Sequence, residues 1–344
     1  MADAKAPGRA TAASQNSSDA AEVTAHHLLY ESTLPPSERV ARLRRVAVTD
    51  GLDANTRPLA WTLLLGCGRI EARRYSSLCD GLSDDAQKIR DDARRTFRAD
   101  DSVRQKVRDA QIVRCVTALA RSRQNEVSNG ANRSAVAACF LYALPSELEA
   151  FACFEKLAEL CPRYFTPTLD GCVVGAALVD HILRCISPDI HGTLLGDSLL
   201  LEDDARTPVE DLVAYPLLAS LFTCVPPLDE VAVLWDATFA LGGHFPVLCV
   251  VALILERYAA GDTSVARLQP RRLAPLDARR IVARACAVAP RVPRSFYDVL
   301  ERHARDVSVD RAAVAAASEA PRTPTPRRPL SASTTASARK RATS

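Results

Sequence analysis

The block Ala214–Gly243, AYPLLASLFTCVPPLDEVAVLWDATFALGG, leaves a folding chain few options. Pro226-Pro227 ends one helical pattern, and Val231, Leu234, Trp235 and Phe239 then recur at helical intervals, which gives the next helix a continuous apolar face. Gly242-Gly243 closes that helix, and Pro246–Tyr258 reads as a further buried one. Helices this apolar must be covered by other helices. Composition agrees: 48% of the chain is hydrophobic, only 13 of its 344 residues are glycine, and the β-branched and aromatic clusters that mark strands are few. The expectation is an all-α protein with ample core.

Other segments carry the same signature. Pro35-Pro36-Ser37-Glu38 reads as a helix start with Ser37 as cap, and Gly51 supplies the stop. Pro58 suits the first turn of a helix bearing Leu59, Trp61 and Leu63. Asp101–Ala120 reads as one helix, followed by a polar stretch, Arg121–Ser134, where Asn129-Gly130 signals a turn. Helix resumes over Ala135–Tyr142 and again to Leu160, with Ser146 and Glu149 spaced as a capping box. Past the break at Cys161–Phe165, a long apolar helix reaches Ile186, and a pair near Asp277–Val288 and Arg294–His303 ends the fold. Residues 1–22 have no apolar period and read as disordered, as does the Pro/Ser/Thr/Arg tail over residues 311–344.

Several function classes are disfavoured. The formal charge is +3, but Pro321–Ser344 holds six Lys/Arg and no acid, leaving 38 cations against 41 acids in the body, about −3. The body therefore has no footprint for nucleic acid. Eleven cysteines without a Cys-x-x-Cys pair read as small buried residues of a reducing compartment, not zinc ligands. The longest apolar run, Phe245–Leu255, is too short for a membrane span, and the first twenty residues lack a signal-peptide core. Glu202-Asp203-Asp204 reads as a solvated loop. No histidine stands at metal spacing, no Gly-rich phosphate loop or G-x-S-x-G elbow occurs, and Cys153, Asp180 and His181 read as structural.

One stretch does carry chemistry. In Ile89–Phe97, IRDDARRTF, the residues Ile89, Asp92 and Arg95 are spaced i, i+3, i+6, so on a helix they share one slowly drifting stripe. Ile89 anchors the stripe in the core, and Asp92 lies one turn before Arg95, within reach of its guanidinium. A held, pre-aimed arginine suits a phosphate. Taken alone, the same spacing also describes an ordinary solvated pair. Arg57, at a helix start beside Trp61, is expected to pair with a carboxylate such as Asp92.

Arg57-x-x-x-Trp61 with Leu64-Leu65-Gly66, then Ile89-x-x-Asp92-x-x-Arg95-Thr96-Phe97, then Leu234-Trp235-Asp236 with Gly242, in that order, resemble the TBC domain, a family that activates Rab-type small GTPases. The stretches Tyr142–Phe154, Cys161–Tyr164, Pro167–Leu169 and Pro226–Val231 are similar to its fungal mitotic-checkpoint branch. The resemblance spans roughly Leu43 to His303. It implies two helical lobes, residues 23–165 and 166–310, with a groove for the GTPase. It implies an activator acting in trans rather than an enzyme with its own substrate. Arg95 would be the finger, Asp92 its orienter, and Arg57, Trp61, Ile89, Trp235 and Asp236 structural support. No cofactor is implied, because GTP and Mg²⁺ belong to the partner, a Ras/Rab-like small GTPase of mitotic exit or septation. A second activator subunit, and a cytoplasmic location at spindle poles, follow from the same resemblance.

The chain departs from the family pattern at one point. TBC domains usually supply a glutamine from a Y-x-Q-G-M-N stretch to orient the attacking water. The matching segment is Val127-Ser128-Asn129-Gly130-Ala131-Asn132, where Asn129 is a methylene shorter. Gln124 lies five residues earlier. Three accounts stand open: the GTPase supplies its own glutamine, the protein binds without strong activation, or the coding sequence is faulty here. In the tail, Thr323-Pro324 and Thr325-Pro326-Arg327-Arg328 resemble proline-directed kinase sites, although such dipeptides are common in segments of this composition.

Overall fold

The apolar spacing is realised as helix throughout the residues the computed structural model describes, 24–68, 71–80, 85–123, 131–196 and 206–319. The first half runs α1 (Pro36–Thr49), α2 (Arg57–Leu64), α3 (Ala72–Cys79), α4 (Ala86–Arg95), α5 (Asp101–Lys106), α6 (Asp109–Ser122), α7 (Ala131–Ala143) and α8 (Glu147–Leu160). The second runs α9 (Asp170–Ile186), α10 (Pro188–Leu195), α11 (Tyr215–Ala219), α12 (Leu228–Leu241), α13 (Phe245–Ala259), α14 (Val265–Leu268), α15 (Ala278–Val288), α16 (Arg294–Arg302) and α17 (Arg311–Glu319).

The two helices that most constrain the sequence lie at the centre. Every residue of α13 from Phe245 to Leu255 is buried, and it packs on α9 and α15. Helix α12 is the shared element: it packs against α1, α2 and α7 from the first half and against α13 and α15 from the second. An aromatic cluster fills that junction. Trp61 of α2 meets Phe239 edge-on at 5.0 Å between centroids, and Phe140 of α7 lies 4.8 Å from Trp235. Such pairs add about 0.5–1.5 kcal/mol each beyond the area they bury.

Local chemistry sets the helix ends. Pro58 occupies the first turn of α2, and Ser146 caps α8 by accepting from the Glu149 N–H at 3.2 Å. Ser37 is not a cap, because α1 already begins at Pro36, inside the proline pair. The stretch expected as one helix over 101–120 is two. Asp100 caps α5, the chain extends through Val107 and Arg108, and Gln111 reaches back to accept from the Arg108 N–H at 3.0 Å, opening α6.

The expected tail also starts too early. Residues 311–319 form α17, with Val314 fully buried and Ala317 nearly so against α9 and α16. Its alanine-rich sequence offers little apolar contrast, so its period is faint. Arg163 positions the approach to it: Nη1 lies 2.7–2.8 Å from the carbonyl oxygens of His303, Asp306 and Val309, while Nε donates to Asp170 at 2.6 Å. Arg311 then pairs with buried Glu210. The expected disordered start over 1–22, the loop Glu202–Asp204, and Thr323 and Thr325 lie outside the described residues.

Two histidines are held neutral in the core. His303 is wholly buried, with Nε2 placed to accept from the Tyr164 hydroxyl at 2.9 Å and Nδ1 to donate to the Leu300 carbonyl at 2.6 Å. Burial pushes the pKa of His303 and of His244 down to about 4 from 6.5. Between those values the unfolded chain binds protons that the folded chain refuses, so stability falls as pH drops from 6.5 towards 4. The expected slope is about 1.4 kcal/mol per pH unit per histidine. Urea unfolding midpoints at pH 7, 6 and 5 should decrease in that order.

Candidate functional site

Helix α4 presents the arginine. Ile89, Asp92 and Ala93 are buried on its inner face, which packs on α6 and α7, and Arg95 is its last residue. The Arg95 side chain is 70% exposed, yet its Nη2 donates to Asp92 Oδ1 at 2.7 Å, and that carboxylate side chain is only 8% exposed. A surface ion pair contributes about 0–1 kcal/mol to stability. Its consequence here is directional: one end of the guanidinium is tied to a fixed, buried acceptor and the rest faces solvent.

The chain beyond Arg95 reinforces that direction. Thr96 donates from its hydroxyl to the Asp92 carbonyl at 2.7 Å, and Phe97 adopts φ +49°, a left-handed conformation unusual for a bulky residue. Phe97 packs on the core at that cost, and the helix stops directly after the arginine. A cation at the C-terminus of a helix is further favoured by the backbone dipole.

Arg57 does not pair with Asp92. It crosses the core to Asp236 on α12, with Nε to Oδ1 at 2.9 Å and Nη2 to Oδ2 at 3.0 Å. Trp61 Nε1 donates to the same Oδ1 at 2.7 Å and the Leu52 N–H to Oδ2 at 3.2 Å, while Arg57 Nη2 also donates to the Leu52 carbonyl at 2.7 Å. Asp92 is committed to its own helix neighbour, and α12 places the only acid of its buried turn opposite α2. Burial raises the pKa of Asp236 above the ordinary carboxylate value, although Arg57, Trp61 and Leu52 all oppose the shift. The cluster thus ties α2 and the turn before it to α12. Trp235 packs beside it and donates from Nε1 to the Leu221 carbonyl at 2.9 Å.

Asn129 and Gln124 lie outside the described residues. The segment containing them joins α6 to α7, and both helices pack on α4. Sequence reasoning did not single out Lys106, whose ammonium sits 4.0 Å over the Tyr142 ring, or the Tyr142 hydroxyl bond to Asp229 at 2.9 Å. These contacts join α5, α7 and α12, and only folding brings them together.

A sequence profile of the Rab-GTPase-TBC domain matches residues 54–261, which contain Arg57, Trp61, Asp236 and Arg95. The chain belongs to the TBC domain family. Cell division control protein 16 of Schizosaccharomyces pombe is 31% identical over 279 residues, covering 78% of this chain and 90% of its own. Mitotic check point protein BUB2 of Saccharomyces cerevisiae is 29% identical over 296 residues, covering 78% and 93%. The Ypt/Rab-GAP domain of Gyp1p has the same fold, with a TM-score of 0.59 at 15% identity over 77% of this chain and 95% of that one. The TBC domain is therefore all-helical over the described residues and two-lobed, and it is related to a fungal mitotic check point protein and a fungal cell division control protein.

Proposed function

We propose that this TBC domain accelerates GTP hydrolysis by a Ras/Rab-like small GTPase, with Arg95 inserted in trans as the finger. The observation that carries this reading is the exposed guanidinium bonded at 2.7 Å to nearly buried Asp92. Hydrolysis spreads negative charge over the transferring phosphoryl and its leaving oxygen, and a guanidinium fixed in advance stabilises that charge without reorganising at the moment of reaction. Asp92 is a positioning residue: it acts by fixing the direction of Arg95. Asp92→Ala is expected to lower the stimulated rate by about 10- to 100-fold, since small misplacements of a reacting group cost that much. Single-turnover rates for the variant check it.

The attacking water is oriented by a glutamine of the GTPase or by the segment holding Asn129. The names of the two fungal relatives, a cell division control protein and a mitotic check point protein, support a role in the control of cell division. Mitotic exit or septation as the pathway, a second activator subunit and action at spindle poles belong to the same proposal and rest on the resemblance of the motifs. Residues 23–165 serve as the first lobe and 166–310, extended by α17 to 319, as the second; Thr323 and Thr325 serve as phosphosites that would offset the basic tail. A second reading, a GTPase-binding scaffold without catalysis, is favoured by Asn129 standing where the family carries glutamine.

Aluminium fluoride separates the two. With GDP it mimics the transferring phosphoryl, so an activator should bind the GDP-loaded GTPase only when fluoride and aluminium are added. Binding that is indifferent to them points to the scaffold.

A further inference from the structure

Cys67 and Cys153 are 86 positions apart in sequence, and their Sγ atoms lie 3.8 Å apart. Cys153 is fully buried on α8. Cys67, in the connection after α2, is half-buried and borders a cavity of about 260 Å³ shared with Arg74, Glu155 and Lys156. One thiol is thus held inside the fold, and its neighbour is reachable from outside.

A disulfide bond is about 2.05 Å long, so closure needs an approach of roughly 1.8 Å. The sequence around Cys67 permits it. Gly66 and Gly68 flank the residue, a Cβ on either would meet nothing within 4 Å, and Gly66 already sits at φ +70°. The Cys67 N–H is bonded to the Thr62 carbonyl at 2.8 Å, so the approach falls to rotation about the Cα–Cβ bond of Cys67 and to the chain on the Gly68 side, while helix α8 holds Cys153 in place.

Reactivity is divided in the same way. The bond from the Cys153 thiol is the largest influence on Cys67 and holds its pKa below the usual thiol value; burial opposes it and Lys156 assists. The bond to Cys67 and burial both push Cys153 up. Cys67 is the nucleophile of the pair and Cys153 the resolving thiol.

We propose that Cys67 and Cys153 form a reversible disulfide driven by peroxide, a modification site that locks the α2–α3 connection to α8. The Cys67 thiolate attacks one oxygen of hydrogen peroxide, the O–O bond breaks, and the departing hydroxide takes a proton to become water, leaving a sulfenic acid. Cys153 sulfur then attacks Cys67 sulfur, the S–O bond breaks, and hydroxide leaves with the Cys153 proton as a second water. Two thiols lose two electrons and one peroxide gains them. A dithiol reverses the exchange. Because α2 carries Arg57 and Trp61, the lock fixes the helix whose side chains bond Asp236 of α12.

The test is a peroxide titration of the reduced full chain, with alkylation of remaining thiols, digestion and mass spectrometry. The expected product is a Cys67–Cys153 crosslinked peptide at doses where buried Cys139 and Cys249 are at least tenfold less modified. Dithiothreitol should remove it, and the oxidised chain should melt at a higher temperature than the reduced one. In Cys67→Ser the crosslink should be absent and Cys153 should stay reduced. Conversion of Cys67 to sulfinic acid without a crosslink overturns the proposal. So does oxidation of exposed Cys224 while Cys67 remains reduced. The wild-type crosslink map decides the matter even if a cysteine variant folds poorly.

Discussion

Arg95→Ala is expected to reduce stimulated GTP hydrolysis by about 10³- to 10⁵-fold, on the order of 4–7 kcal/mol of transition-state stabilisation, while binding to the GTPase persists. The loss is large because no other group on α4 replaces the guanidinium from the same direction: Arg94 lies about 100° around the helix and pairs with Asp91. The fold should be untouched. The Arg95 side chain is 70% exposed, and substitutions at such positions change stability by about 0.5 kcal/mol or less. Arg95→Lys should recover little, since an ammonium is a point charge without the fork that both bonds Asp92 and faces the phosphate. Stopped-flow or quenched hydrolysis, read beside an equilibrium binding measurement, separates lost catalysis from lost docking.

The second large effect concerns stability and arises far from Arg95 in sequence. Arg57→Ala and Asp236→Ala should each destabilise the domain by about 3–5 kcal/mol, because either leaves a buried partner charge uncompensated. Asp236 is fully buried and accepts from Arg57, Trp61 and the Leu52 N–H. In Arg57→Ala its carboxylate loses its counter-charge; in Asp236→Ala the guanidinium and the indole N–H lose their acceptor. The double variant should cost less than the two single costs added together, since removing both charges also removes the desolvation penalty. Urea titrations of the four forms give the coupling. Additive costs would mean that the ion pair is not the unit that ties α2 to α12.

These two sites show where the sequence was readable. Asp92 and Arg95 stand three residues apart on one helix, so helical geometry alone brings them together, and the expected bond is present. Arg57 and Asp236 are 179 residues apart, and their pairing depends on how α12 crosses α2. A signal was nevertheless available: Asp236 is the one acid in the stretch from Val231 to Leu241 of α12, and such a carboxylate must find a buried cation. Asp92, by contrast, has its arginine within its own helix. Phe97 left no trace of its positive φ, because that conformation usually announces itself by glycine. Helix α17 stayed hidden because Val314 is its one large apolar residue. Its place is set instead by Arg163 and by the Arg311–Glu210 pair, which are contacts between distant segments.

The most direct test of the finger mechanism is single-turnover hydrolysis by the proposed target, a GTP-loaded mitotic-exit GTPase, with this chain in excess and the proposed second subunit present or absent. The expected result is an acceleration by the wild-type chain, alone or with that subunit, that disappears in Arg95→Ala. A GTPase that binds the wild-type chain, with or without the subunit, and hydrolyses no faster would contradict the mechanism and leave a scaffold in its place.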